Sequence, residues 1–245
     1  MNSDNVYIVI PAYNESDNIK NVINDWYPVV DKIGNDSRLL IIDDGSKDDT
    51  YQIAKAEMIT HPLLQVMTKP NSGHGSTVLF GYRQALSQKP DYIFQTDSDG
   101  QTLSSEFWAF WDARSNFDIQ IGARTKRQDG FSRIVVTKTL KLIVKLFFHV
   151  SIDDVNTPYR LMSYDSLNHN ITLVPNDYFL SNVLLSVIYK KKNMRMRFIP
   201  ITFRPRQGGV NSINIKRIVG IGITSVKDFI LLNKQLDQHI QAEQS

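Results

Sequence analysis

The chain has no cysteine. That excludes disulfides, thiolate metal sites and cysteine nucleophiles, and leaves a reducing compartment or indifference to redox as the expectation. No apolar run approaches the ~20 residues that span a bilayer, so a membrane role would be peripheral. The first residues, Met1-Asn2-Ser3-Asp4, lead into an apolar stretch without the basic and apolar regions of a signal peptide, and the expected location is the cytoplasm. Internal repeats and low-complexity linkers are also missing. A net charge of +3 is too slight to argue for nucleic acid. What remains is an ordinary globular composition of 245 residues, 42% hydrophobic, with ample material for a core in one large or two small domains.

Four times the chain passes from a short apolar run into a polar loop and then into a helical pattern. Val6-Tyr7-Ile8-Val9-Ile10 reads as a strand buried on both faces, broken by Pro11-Ala12-Tyr13-Asn14-Glu15-Ser16, and Ser16 is expected to cap a helix carrying Ile19, Val22 and Ile23. Leu39-Leu40-Ile41-Ile42 ends in Asp43-Asp44-Gly45-Ser46-Lys47-Asp48-Asp49-Thr50, where Ser46 and Asp49 have the spacing of a capping box. Leu64-Gln65-Val66-Met67 is followed by Asn71-Ser72-Gly73-His74-Gly75-Ser76-Thr77, with a helix expected from Thr77 to about Leu86. Tyr92-Ile93-Phe94-Gln95-Thr96 opens into Asp97-Ser98-Asp99-Gly100-Gln101, and then Phe107, Trp108, Phe110 and Trp111 fit a helix packing aromatics on a sheet. This alternation predicts a doubly wound, mostly parallel α/β sheet with helices on both faces and its polar loops on one edge.

Those loops carry the chemistry. Two carboxylates one residue apart at a strand end suit a divalent cation, Mg²⁺ or Mn²⁺, held by Asp97 and Asp99 with the Gln101 amide oxygen as a third donor. The same residues also make an ordinary acidic turn. Asp43 and Asp44 stand where a carboxylate can accept hydrogen bonds from a nucleobase or ribose, whereas Asp48 and Asp49 are explained by the helix that follows. Gly73 and Gly75 would let the backbone approach a ligand, with the next helix pointing its N-terminus at a phosphate or sugar. His74 reads as a loop histidine. A phosphoacceptor receiver domain would carry its acidic pair after the first strand, where this chain has Pro-Ala-Tyr-Asn-Glu instead.

Taken in order, Pro-Ala-Tyr-Asn-Glu at 11–15, Asp43-Asp44-Gly45-Ser46 with Asp49-Thr50, Asn71-x-Gly73-His74-Gly75 and Asp97-Ser98-Asp99-Gly100-Gln101 resemble the family 2 glycosyltransferases of GT-A fold, above all the dolichol-phosphate mannose synthase group and its bacterial polyprenyl-phosphate relatives. Asp154-Val155-Asn156-Thr157-Pro158-Tyr159-Arg160 is similar to that group's acceptor-side Asp-x-x-Ser-Gly-Phe-Arg pattern. Arg204-Pro205-Arg206-Gln207-Gly208-Gly209 resembles its arginine and glycine loop over the donor diphosphate. Where the group carries a Ser-Glu pair before a helix, this chain reads Leu180-Ser181-Asn182.

The resemblance implies one GT-A domain with a donor half at 1–125 and an acceptor half at 126–245. It implies a nucleoside diphosphate sugar against Pro11, Tyr13, Glu15, Asp43, Asp44 and Ser46, with Gly75, Asp97, Ser98, Arg124 and Arg206 completing the donor site. The metal would sit on Asp97, Asp99 and Gln101, and the catalytic set would be Asp99, Asp154 and Arg206. Asp154, Arg160 and Asp177 would face a polyprenyl phosphate or other lipid-linked acceptor. A phosphate acceptor with a second pKa of about 6 attacks as an anion near neutral pH, but a sugar hydroxyl needs a base, for which Asp154 is the first candidate and Asp177 the second. Each also has a structural reading: Asp154 paired with Arg160, Asp177 as a helix cap.

Over 134–150, Lys138, Lys141 and Lys145 fall on one helical face and Val136, Leu140, Ile143 and Phe147 on the opposite one. Such a basic amphipathic helix either lies on an anionic membrane surface or packs on the domain. Ile218-Val219-Gly220-Ile221-Gly222-Ile223 is apolar and too short to span; it suits a second interfacial helix or a dimer contact. Lys190-Lys191-Lys192 reads as a solvated helix end. Two other functions stay open: nucleotidyl transfer to a sugar phosphate, which usually wants a glycine-rich basic loop after the first strand, and an inactive scaffold of a polysaccharide assembly complex.

Overall fold

The computed structural model describes residues 4–34, 36–124, 131–205 and 226–244. Seven strands form one sheet in the order β3-β2-β1-β4-β6-β5-β7. They are β1 (Val6–Ala12), β2 (Arg38–Asp43), β3 (Leu64–Thr68), β4 (Tyr92–Gln95), β5 (Ile119–Arg124), β6 (Arg160–Ser163) and β7 (Met196–Ile201). β1 pairs in parallel with β2 and β4, β2 with β3, and β5 with β7. Only β6 runs the other way, antiparallel to both β4 and β5. The expected mostly parallel sheet is therefore present, with one reversed strand in its middle.

Strand alternation sorts the core into two layers, because successive side chains of a strand leave on opposite faces. Val6, Ile8 and Ile10 face α1 (Ile19–Ile33), α2 (Thr50–Glu57) and α4 (Phe107–Trp111). Tyr7 and Val9 face α3 (His74–Ser87), α6 (Tyr164–Ile171) and α7 (Ser181–Lys191), with α5 (Phe131–Phe148) and α8 (Val226–Gln244) outside them. The expected aromatic helix is core: Phe107 stands edge-on to Phe94 at 5.0 Å, and Phe94 to Tyr159 at 4.7 Å. Gly81 lets α3 lie directly on β1, since a Cβ there would come within 2.4 Å of a Val9 methyl.

Several local expectations change. Ser16 does not cap α1, whose N-cap is Asn18; its N–H donates to Asp48 at 3.1 Å. Nor do Ser46 and Asp49 form a capping box. Ser46 Oγ accepts from Asn14 N at 2.9 Å and Asp48 from Ser16 N at 3.1 Å, so these side chains stitch the β1–α1 and β2–α2 loops to each other. α3 begins three residues earlier than expected, at His74. Lys191 is not solvated: it reaches Asp237 at 2.6 Å and ties α7 to α8. On α5, Leu140, Ile143 and Phe147 pack against the core along with buried Val144 and Phe148, while Lys141 and Lys145 stay exposed with Leu142 and Leu146. The expected apolar face is thus an internal one. The side chain of Lys138 and the stretch 218–223 lie outside the described residues.

Candidate active site

β1, β2 and β4 release their loops at one edge of the sheet, and those loops hold one another. Asp44 N donates to Ala12 O at 2.8 Å, Glu15 N to Thr50 Oγ1 at 2.8 Å and Lys47 N to Asn14 Oδ1 at 2.8 Å. Asn14 takes a left-handed φ of 54°, which asparagine tolerates, and the turn leaves Tyr13 39% exposed above buried Pro11, Ala12 and Glu15. An aromatic ring left open at this edge suits a nucleobase.

The β4 loop is built to turn two carboxylates outward. Thr96, Ser98, Gln101 and Thr102 are buried, with the Thr96 and Thr102 hydroxyls 2.7 Å apart, while Asp97 and Asp99 between them remain half-exposed. Asn18 Nδ2 of the β1–α1 loop donates to Ser98 O at 2.6 Å, and Gly100 makes the turn at φ 68°. The Gln95 amide lies 3.3 Å from Asp97 Oδ1, and His74 Nε2 lies 3.7 Å from the same oxygen. Among the described residues no three histidine or acidic groups gather as a ready cation cage. The donor set is a carboxylate pair, which fits a hard cation that takes its other ligands from a diphosphate and water.

Gln101 commits its amide nitrogen, and not the oxygen expected as a ligand, to the neighbouring chain. It is buried, its Nε2 donates to Arg204 O at 2.8 Å, and its own carbonyl accepts from Arg204 N at 2.8 Å. Its observed work is to fasten the chain after β7 beside the acidic loop. Arg206 lies outside the described residues.

Asp43 and Asp44 are each 2% exposed and their carboxylates serve the loops around them. Asp43 accepts from Thr68 Oγ1 at 2.7 Å and from Ser46 N at 3.3 Å. Asp44 accepts from Ser72 N and Gly73 N, both at 2.9 Å, and pairs with Lys69. With both oxygens committed, Asp44 shapes the pocket wall; it does not present itself to a base or ribose. Gly75 is also corrected. A Cβ there would sit 2.3 Å from Phe179 O and 2.5 Å from Tyr178 O, so the missing side chain admits protein backbone rather than a ligand.

On the acceptor side, Asp154 pairs with Arg124, not with Arg160. Arg124 Nη2 and Nε donate to its two oxygens at 2.8 and 2.9 Å, and the guanidinium also lies over the Phe203 ring at 5.3 Å. Arg160 is fully enclosed. It donates to Thr157 O at 2.7 Å, Val155 O at 2.7 Å, Asn182 O at 2.8 Å and Ser186 Oγ at 2.9 Å, so it clamps the 154–160 loop onto α7 and does not reach an acceptor itself. Burial lowers its pKa to about 10, which still leaves it charged at neutral pH. Asp177 is exposed and caps no helix, since α7 starts after Leu180 without a side-chain cap. From the sequence His74 reads as a loop histidine and Gln95 as part of a strand; their approach to Asp97 is a contact across the fold that residue spacing does not show.

The chain matches the model of glycosyl transferase family 2 over residues 7–167. It is 24% identical over 216 residues to the polyprenol monophosphomannose synthase of Mycolicibacterium smegmatis, covering 84% of this chain and 80% of that one. It is 28% identical over 145 residues to the undecaprenyl-phosphate 4-deoxy-4-formamido-L-arabinose transferase of Pectobacterium atrosepticum, covering 58% of this chain but 43% of that protein. Among solved structures it is similar to glucosyl-3-phosphoglycerate synthase from Mycobacterium tuberculosis in complex with Mn²⁺ and UDP-glucose, with a TM-score of 0.63 at 18% identity over 93% of this chain and 79% of that one. With a family match across most of its length and that fold beneath it, the chain belongs to glycosyl transferase family 2 and is a glycosyltransferase of GT-A fold.

Proposed function

We propose that the chain transfers a sugar, with inversion, from a nucleoside diphosphate sugar to the phosphate of a polyprenyl phosphate at the cytoplasmic face of a membrane. The observation that carries the acceptor class is the Asp154 carboxylate, with both oxygens against the Arg124 guanidinium. A carboxylate with both oxygens turned to one guanidinium is directed at that partner and not at the proton of a nucleophile. A hydroxyl nucleophile would need such an acceptor; a phosphate monoester attacks already ionised. The polyprenol and undecaprenyl-phosphate substrates in the relatives' names support the same class.

Asp97 and Asp99 would hold Mg²⁺ or Mn²⁺, and the fold neighbour crystallised with Mn²⁺ and UDP-glucose supports that assignment. When bound, the cation offsets the charge that builds on the departing diphosphate. The chain's own residues orient the substrates: Tyr13 lies open to the base, the Arg124–Asp154 pair braces the 154–160 loop, and Arg206 is assigned by resemblance to the diphosphate oxygens. Membrane contact is assigned to α5, where exposed Lys141 and Lys145 neighbour Leu142 and Leu146, exposed by 56% and 58%. Two lysines beside two open leucines suit an anionic headgroup layer. No described helix is long and apolar enough to cross a membrane.

The test is calorimetric titration with UDP, GDP, CDP and dTDP, each with Mn²⁺ and with chelator, followed by transfer assays on undecaprenyl phosphate with sugars of the base that binds. Metal-dependent binding of one diphosphate and transfer to the lipid phosphate is expected. Transfer to a free sugar hydroxyl in its place would overturn the acceptor class.

A further inference from the structure

A buried chain of polar side chains runs from the acceptor loop to the first carboxylate of the acidic loop. Tyr82 of α3, Gln95 of β4 and Arg160 of β6 are fully buried, and Asn182 of α7 is 3% exposed. Donor and acceptor identities fix how they face one another. Gln95 Oε1 accepts from Asn182 Nδ2 at 2.9 Å and from the Tyr82 hydroxyl at 3.0 Å, the latter sharing its one proton with Asn182 Oδ1 at 3.3 Å. Burial raises the Tyr82 pKa, so that hydroxyl keeps its proton and remains a donor. With its oxygen held by two donors, the Gln95 amide must turn its nitrogen the other way, and that nitrogen stands 3.3 Å from Asp97 Oδ1. Reversing the amide would set N–H against N–H at Asn182 and oxygen against carboxylate at Asp97; each buried group left unsatisfied costs about 1–3 kcal/mol.

We propose that Gln95 is a positioning residue that holds Asp97 in the orientation that receives the cation, and that Asn182, with Tyr82, sets the direction of the Gln95 amide; the proposal rests on the metal site assigned above. An ionised acid at 182 would have no proton for Gln95 Oε1 and would draw the amide nitrogen to itself, turning the oxygen on Asp97. Arg160 anchors the far end, because one guanidinium holds the backbone carbonyls of Asn182, Val155 and Thr157 together. The acceptor loop and the support of Asp97 therefore share one fixed point.

The experiment measures affinity for the preformed Mn²⁺–nucleoside diphosphate complex by the rise in water-proton relaxation as protein is added, for the wild-type chain, Gln95→Met, Asn182→Asp and Tyr82→Phe. Losing an outer partner of a metal ligand costs about 10–100-fold in metal affinity. Gln95→Met and Asn182→Asp are expected to bind Mn²⁺ at least about tenfold more weakly. Both should still unfold in one cooperative transition with the wild-type far-UV circular dichroism spectrum. Tyr82→Phe should show the smallest loss, because Asn182 still holds the amide. Wild-type Mn²⁺ affinity in Gln95→Met overturns the proposal, and so does a loss of affinity that comes with loss of the cooperative unfolding transition, which a purely structural role would produce. Should Asn182→Asp fail to fold, Gln95→Met decides alone. A wild-type chain that takes up no Mn²⁺ overturns the metal site itself; uptake by wild type with unaltered variants overturns only this inference.

Discussion

Gly75→Ala separates two explanations of a glycine at the start of α3. Backbone atoms of Tyr178 and Phe179 lie 2.3 to 2.5 Å from the place its methyl would occupy. Non-bonded heavy atoms rest about 3.5 Å apart, so the helix start and residues 178–179 must part by about 1 Å. Carbonyl groups cannot rotate aside as a flexible side chain would, which places the cost near the upper end of the roughly 1–3 kcal/mol of overpacking. The gain in helix propensity from glycine to alanine offsets up to about 1 kcal/mol of it. A net loss of about 2 kcal/mol lowers the thermal midpoint of a chain this long by about 4–8 °C. The assay is thermal unfolding by circular dichroism without ligand. If Gly75 were instead kept for close approach of a diphosphate, the ligand-free midpoint would not move and only diphosphate binding would weaken. A midpoint equal to that of wild type refutes the packing argument.

Other consequences are as direct. Asp99→Ala should abolish turnover and metal-dependent donor binding while leaving the midpoint nearly unchanged; retained turnover would sink the metal assignment. Lys141→Glu with Lys145→Glu should weaken sedimentation with phosphatidylglycerol vesicles, and equal sedimentation would remove α5 as the membrane face. Asp44→Ala removes the charged acceptor of the Ser72 and Gly73 N–H groups and the partner of Lys69, and should cost about 1–3 kcal/mol in urea unfolding, more than a residue that only touched substrate. Asp118 lies below the usual carboxylate range because the hydrogen bonds and charge of Arg195 outweigh the burial that raises it. The folded form therefore binds fewer protons than the unfolded one in acid. The stability Asp118 adds is complete above its unfolded pKa of about 3.9 and is lost as pH falls below it. Asp118→Asn should flatten that acid limb of the midpoint curve.

Much of the scaffold could be read from one-dimensional patterns. Val6-Tyr7-Ile8-Val9-Ile10 and Leu39-Leu40-Ile41-Ile42 announce strands covered on both faces, and every polar loop that follows a parallel strand must emerge at the same edge. The carboxylates of Asp97 and Asp99 were visible for that reason. What escaped were pairings across the chain. Asp154 had Arg160 in its own loop as the obvious partner, but Arg160 is consumed by backbone carbonyls and Arg124, arriving at the end of β5, takes its place. Asp43 and Asp44 looked like ligand contacts because their partners are mostly backbone N–H groups, which leave no mark in a sequence. Lysines at helical spacing located the exposed side of α5 correctly, yet the leucines among them remained open while the face opposite became core.

The reversed strand β6 has a consequence for taking the molecule apart. β3, β2, β1 and β4 form one contiguous block, β5 and β7 another, and the four residues Arg160–Ser163 are the only backbone ladder between them among the described residues. A donor half cut at residue 125 would leave the hydrogen-bonding groups of β4 and β5 on open edges, ready to pair with a neighbouring copy. Dissection at that sequence midpoint should give an aggregating fragment, because the seam that completes the N-terminal sheet is supplied by the C-terminal half of the chain.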